Sequence, residues 1–246
     1  MMENYGISMN KILVIMPVYN TEPYVDNAIQ SVLQQSHDNF HLVIIDDGST
    51  DGSLDVIKQY ENNDRVTILE NGENKGCYYS RNRGLALLDD SYDFFTIHDS
   101  DDVSDVERFE LIMNHFRHNP TLLGLKTTYI RVDTNYQPIE PHDIYSSEGI
   151  AVYRKKAFDI LGFYDNTKFG GDTDYLWRLE QYCRLNPTYK VGTSEEVLYL
   201  AVLRNDGTNL TKKYNIAIDR QPYMRKLRQE ISQMNDPQDF YREQFK

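Results

Sequence analysis

Phe94-Phe95-Thr96-Ile97-His98-Asp99-Ser100-Asp101-Asp102 decides how the chain is read. An apolar run of strand length ends abruptly in three carboxylates within four residues. Crowded carboxylates resist ionising together, whereas a bound cation would hold all of them charged. The stretch therefore points to a divalent-metal site for a phosphorylated ligand at the carboxyl end of a buried strand.

Working outward, Ile12–Met16 (stopped by Pro17), Leu42–Ile45 and Val66–Leu69 are further apolar runs of strand length. Between them Val25, Ala28, Ile29, Val32 and Leu33 fall at helical spacing, with Pro23 in the first turn. Shorter helices are expected at Leu54–Tyr60 and at Tyr78–Leu88, the second beginning after Gly76. Wholly apolar strands alternating with amphipathic helices predict an α/β fold with a mostly parallel sheet covered on both faces. Such sheets bind ligands beyond the carboxyl ends of their strands. Three of those ends carry polar sequence here: Pro17-Val18-Tyr19-Asn20, Asp46-Asp47-Gly48-Ser49-Thr50, and Asp99 to Asp102.

Beyond the acidic cluster, Ser104-Asp105-Val106-Glu107 has capping-box spacing and predicts a helix start. That helix runs through Phe109, Ile112, Met113 and Phe116 to Asn119-Pro120. Leu122–Val132 reads as strand, and polar Asp133–Gly149 as a long loop of the kind that forms lids. A strand (Ile150–Tyr153), a helix (Lys155–Leu161), a turn (Phe169–Asp174), a helix carrying Trp177 and a last strand (Val197–Leu203) follow. The tail from Ala217 is a charged amphipathic helix. The expected organisation is a tail over 1–10, one catalytic unit over 11–214 and a helical extension over 215–246.

The 246 residues suit one large domain, and 40% hydrophobic residues with 12% aromatics supply a core. A formal charge of −12 argues against nucleic-acid and anionic-membrane partners. Cys77 and Cys183 lack metal-type spacing and fit buried thiols in a reducing compartment. With no long apolar span and no signal-peptide pattern at Met1–Asn10, a cytoplasmic protein is expected, peripheral membrane contact being left open.

Taken in order and spacing, Pro17–Asn20, Asp46–Asp51, Arg81-Asn82-Arg83-Gly84, Asp99–Asp102 and Gly170-Gly171-Asp172-Thr173-Asp174 resemble family 2 glycosyltransferases of the GT-A fold. The resemblance covers roughly residues 10 to 211. It implies a Rossmann-like sheet with a mixed acceptor-side half. It also implies inverting transfer from a nucleotide sugar, UDP-linked by expectation, to a hydroxyl of a glycan or glycoconjugate. Pro17, Val18, Tyr19, Asp47, Gly76, Arg81, Asp99, Ser100 and Asp101 match the nucleotide-sugar contacts. Asp99, Asp101 and Asp102 match the carboxylates around a manganese or magnesium ion. Asp172 matches the base that takes the acceptor's proton.

The plainer readings are weighed beside these. Asp46-Asp47-Gly48 is good turn chemistry, so Asp46 is given a structural role and Asp47 the nucleotide. Arg81 and Lys75 divide between phosphate binding and surface ion pairs, and Asp174 starts a helix. Trp177 is weighted toward core over sugar platform, and His98 toward packing beside the metal. Three departures stand out: Gly171 where the family usually has Glu before the base, Asp206 where many members have His, and no proline after the acidic cluster. The rivals are a haloacid dehalogenase-type phosphatase using Asp99 and Asp101, and an inactive nucleotide-sugar binder. The phosphatase signature normally lies on the first strand, and two or three strand–helix units precede it here. A nucleotidyltransferase would want a Gly-rich loop after the first strand, which Pro17–Asn20 is not.

Overall fold

The computed structural model describes residues 10–141, 143–204 and 221–243. Its strands are β1 (Ile12–Val18), β2 (Phe40–Asp46), β3 (Val66–Glu70), β4 (Phe94–Ile97), β5 (Val103–Ser104), β6 (Leu122–Val132), β7 (Ile144–Arg154) and β8 (Lys190–Val202). The helices are α1 (Glu22–Leu33), α2 (Ser53–Lys58), α3 (Cys77–Leu85), α4 (Arg108–His118), α5 (Lys155–Leu161), α6 (Gly171–Leu185), α7 (Gln221–Ser232) and α8 (Pro237–Phe240). The strands form one sheet in the order β3-β2-β1-β4-β7-β6-β8-β5. β3, β2, β1 and β4 run parallel, and β7 joins β4 antiparallel to open the mixed half. This is the α/β architecture expected.

Alternation along the strands explains why their sequences are apolar throughout. Ile12, Val14, Met16 and Val18 pack under α1 and α4 through Val25, Ile29, Phe109 and Phe116. Leu13, Ile15, Val43, Ile45 and Phe95 face the other way, against Tyr78 and Leu85 of α3 and Tyr175 and Leu179 of α6. A strand buried on both faces has no polar side to show. Register then brings the functional ends together. Val18 pairs with Asp46, and Ile15 with Ile97, so the segments after β1, β2 and β4 leave the sheet along one edge.

Several boundaries differ from expectation. Pro17 lies inside β1, because pairing with β4 stops at Ile15 and leaves Pro17 the open flank where proline is tolerated. The expected long loop gives way to strand from Ile144, since Tyr145 and Ile144 pair with Tyr129 and Ile130 of β6. Polar Ser146 and Ser147 hid that strand. Likewise β8 starts at Lys190, seven residues ahead of the expected apolar run, held by parallel pairing to β6. The capping box does not form. Ser104 sits in β5 with its hydroxyl turned inward to His98 and Arg108, and α4 begins after Glu107 without a side-chain cap.

The start of α6 is anchored by an ion pair removed from water. Asp174 and Arg178 are both fully buried and 2.8 Å apart. Arg178 also donates to the carbonyls of Leu161, Phe163 and Phe240, tying α5, the segment before α6 and α8 to one side chain. Asp174 is therefore structural, as its place in the helix suggested. Breaking a buried pair from one side leaves an uncompensated charge. Arg178→Met is expected to lower unfolding free energy by about 3–5 kcal/mol, read from urea midpoints. A loss below about 1 kcal/mol would show that the pair is dispensable.

Candidate active site

The turn after β2 is built by its first carboxylate. Asp46 accepts the backbone N–H groups of Gly48 and Ser49. Gly48 has φ 72°, and a Cβ there would meet the Glu73 backbone at 2.6 Å, so glycine is required by conformation and by space. Asp47 does different work. Its Oδ1 accepts from Asn71 at 2.5 Å and from Lys75 N–H at 2.9 Å, and its Oδ2 accepts Gly76 N–H at 2.8 Å. A carboxylate offers about four acceptor positions, so one on Oδ2 is left for an incoming donor. Lys75 itself is exposed and paired with Glu73.

α3 carries three of the side chains that define the site. Arg81, almost wholly buried, pairs with Asp99 Oδ1 at 3.1 Å, and its guanidinium lies over the rings of Tyr78 and Tyr164. Burial works against its charge, yet Asp99 beside it holds the group well above the ordinary arginine range. The buried Nε and Nη1 of Arg81 have no hydrogen-bond partner among the described residues. Tyr78 donates to Asp172 Oδ1 at 2.9 Å, and Asn82 exchanges hydrogen bonds with the backbone of Tyr164.

The acidic cluster fans out instead of converging. Asp99 faces Arg81, while Asp101 is held by Arg204 at 2.6 Å. Asp102 turns inward, accepting Val202 N–H at 2.8 Å beside Tyr199. Among the described residues no three His, Cys, Asp or Glu side chains gather as a metal cage. Of the three carboxylates expected around a metal, Asp102 is buried and bound to β8, while Asp99 and Asp101 are each paired to an arginine. Burial, with Asp101 and Asp99 adding like charge, pushes the Asp102 carboxyl well above its usual range. Burial also raises Asp101, with Arg204 opposing it.

Two residues expected at the nucleotide, Val18 and Ser100, have buried side chains. Val18 is fully buried under α1, continuing the alternation of Val14 and Met16, and only its carbonyl reaches the site by accepting Asp47 N–H. The Ser100 hydroxyl accepts from Thr21 at the head of α1. Tyr19 leaves its ring exposed, beside a half-buried Pro17. Trp177 is half-buried beneath Arg228 of α7, a covered position that suits neither pure core nor an open sugar platform. Asp206 lies outside the described residues. A groove of about 540 Å³ lined by Asn27, Gln30, Val103 and Tyr136 holds none of these groups.

Asp172 stands in the first turn of α6. Its Oδ1 accepts from the Tyr78 hydroxyl and from Thr173 N–H, and among the described residues nothing bonds Oδ2. That oxygen lies against Gly149 of β7. The arrangement joins the Asp172 carboxylate, a part-exposed Asp99, a mostly buried Asp101 and the buried Arg81 cation at one sheet edge.

Residues 13–179 match the family model described as Glycosyl transferase family 2. The chain belongs to that family. An uncharacterised glycosyltransferase of Haemophilus influenzae is 39% identical over 114 residues, 46% of this chain and 45% of that protein. Residues 1–349 of S. aureus TarS, in complex with UDP-GlcNAc, superpose with a TM-score of 0.64 at 19% identity, over 79% of this chain and 59% of that fragment. The mannosyltransferase PcManGT from Pyrobaculum calidifontis, in complex with GDP-Man and Mn2+, gives 0.59 at 16% identity over 78% and 56%. These structures share the GT-A fold with the family 2 chain described here. The chain spans under half the length of the curated relatives it matches first.

His98, beneath the acidic turn, is wholly buried between the Asp99 carbonyl and Ser104. Burial, reinforced by Arg108, lowers its pKa to about 3. The unfolded chain protonates near pH 6.5 and so binds the extra proton first. Stability is thus lost as pH falls from 6.5 toward 3, by up to about 1.4 kcal/mol per unit. Buried Asp101, Asp102 and Asp174 are raised and act in the opposite sense. His98→Gln is therefore expected to lose about 2 kcal/mol less than the native chain between pH 6.5 and 5, by urea midpoints. Parallel losses would place a charged His98 in the fold.

Proposed function

We propose that this chain transfers a sugar from a nucleoside diphosphate sugar, UDP-linked, to a hydroxyl of a glycan or glycoconjugate, with inversion. One observation carries the reading: Asp47, Arg81, Asp99 and Asp172 meet at one sheet edge, linked through α3, with Asp101 two residues past Asp99 and held by Arg204. The UDP-GlcNAc held by TarS and the GDP-Man and Mn2+ held by PcManGT support a nucleotide-sugar donor on this fold.

In this reading the remaining acceptor position on Asp47 takes a base N–H, and the exposed Tyr19 ring offers a face for stacking. Asp99 and Asp101 present hard oxygen ligands suited to magnesium or manganese, which commonly take one or two carboxylates plus phosphates. Such an ion supplies charge neutralisation to the diphosphate leaving group. Arg81 adds a buried positive charge behind Asp99. Asp172 Oδ2 takes the acceptor's proton as its oxygen attacks the sugar from the face opposite the diphosphate. The match of residues 13–179 to the glycosyltransferase family model favours sugar transfer over the phosphatase reading. Among the described residues no helix is long and apolar enough to cross a membrane; cytoplasmic residence is part of the proposal.

Thermal shift with UDP-sugars checks the donor side. Stabilisation is expected to need manganese, to weaken in Asp101→Ala and to persist in Asp102→Asn. Equal stabilisation by UDP in chelator would remove the ion from the reading. On the chemical side, Asp172→Asn is expected to keep donor binding and lose about 100-fold or more in sugar transfer. A native transfer rate in that variant would rule out Asp172 as the base.

A further inference from the structure

We infer that Tyr78 is the positioning residue for the Asp172 carboxylate, and that Gly171 and Gly149 make room for this arrangement. The inference rests on Asp172 acting as the base. Its two carboxylate oxygens have unequal surroundings. Oδ1 is held from two sides, by the Tyr78 hydroxyl at 2.9 Å and by Thr173 N–H at 3.0 Å. Oδ2 has no hydrogen bond among the described residues and faces the Gly149 backbone. A Cβ added at Gly149 would stand 3.0 Å from Oδ2, closer than such contacts ordinarily come. One oxygen is clamped, and the other is presented over the Gly149 backbone, with the Ser147 hydroxyl also beside that position.

The residue before the base makes the clamp fit. A Cβ on Gly171 would meet the Tyr78 ring at 2.7 Å, an approach that forces something to move. The ring has little freedom to yield. It is buried, tilts against Tyr164 with centroids 6.0 Å apart, and lies under the Arg81 guanidinium. Tyr78 thus occupies the space that a side chain at 171 would claim, and its hydroxyl reaches over the start of α6 to Asp172. Burial, with Asp172 adding negative charge, keeps the hydroxyl protonated and so a donor. Holding a base within the narrow range of a productive approach is worth far more in turnover than in ground-state binding. Removing the hydroxyl should therefore act on kcat and spare donor affinity.

The experiment uses the full chain with UDP-GlcNAc as donor and water as acceptor, following UDP release, alongside crystal structures of native chain and variant. Tyr78→Phe keeps the ring that fills the space beside Gly171. It is expected to lower kcat about tenfold with donor KM within about twofold, and to let the Asp172 carboxylate rotate in the crystal. Gly171→Ala should lower kcat in the same way, and the double variant should be no slower than the slower single one, because both act on one hydrogen bond. Native kcat in Tyr78→Phe, with Asp172 unmoved and Asp172→Asn inactive, would overturn the positioning role alone. So would a raised KM with unchanged kcat, the mark of mere packing, or fully additive losses in the double variant. An active Asp172→Asn would instead remove the base assignment beneath it. Should turnover with water be too slow to measure, the Asp172 rotamer in the Tyr78→Phe crystal decides: displaced supports the role, unmoved refutes it.

Discussion

The Arg81 guanidinium is the contact on which the site depends. It is buried at the edge of the sheet, pairs with Asp99 after β4, and lies over Tyr78 and Tyr164. Burying a charge is costly unless it is paired, and the cost is offset here by placing its counter-charge on the strand end that carries the acidic turn. Once Arg81 is fixed, α3 is fixed with it. Gly76 at its N-cap donates its N–H to Asp47, and its first turn sends Tyr78 to Asp172. A nine-residue helix thereby sets the separation between Asp47 and Asp172.

The parallel half of the fold was legible because buried strands leave no choice of pattern: Ile12–Met16, Leu42–Ile45 and Phe94–Ile97 are buried on both faces and became strands, as did the half-buried edge run Val66–Leu69. The mixed half was harder. The first residues of β7 and β8 carry no clear apolar alternation, since Ser146 and Glu195 are exposed and Ser147 is a half-buried polar residue, and only pairing with β6 makes them strands. Capping-box spacing at Ser104 misled because a buried His98–Ser104–Arg108 network used the hydroxyl first.

The site was legible as positions on strand ends but not as directions. Val18 follows Val14 and Met16 at period two, so its inward turn was available from alternation, whereas the inward turn of Asp102 was not. It depends on Val202 N–H, a hundred residues on. Arg204, the partner of Asp101, is equally distant in sequence. Tyr78 could have been flagged by lying three residues before Arg81 on one helix face, but its tie to Asp172 spans 94 residues and belongs to tertiary structure. The glycine at 171, a departure from the family pattern, acquires a physical reason only beside that ring.

A crystal structure of the full chain with an unhydrolysed UDP-sugar and manganese tests the central claim most directly. The account predicts the uracil ring beside Asp47 and Tyr19, the diphosphate at Asp99 and Asp101, and the anomeric carbon on the side of Asp172 Oδ2. A nucleotide seated in the groove between α1 and β5, or an anomeric carbon shielded from Asp172 by its own diphosphate, would contradict it.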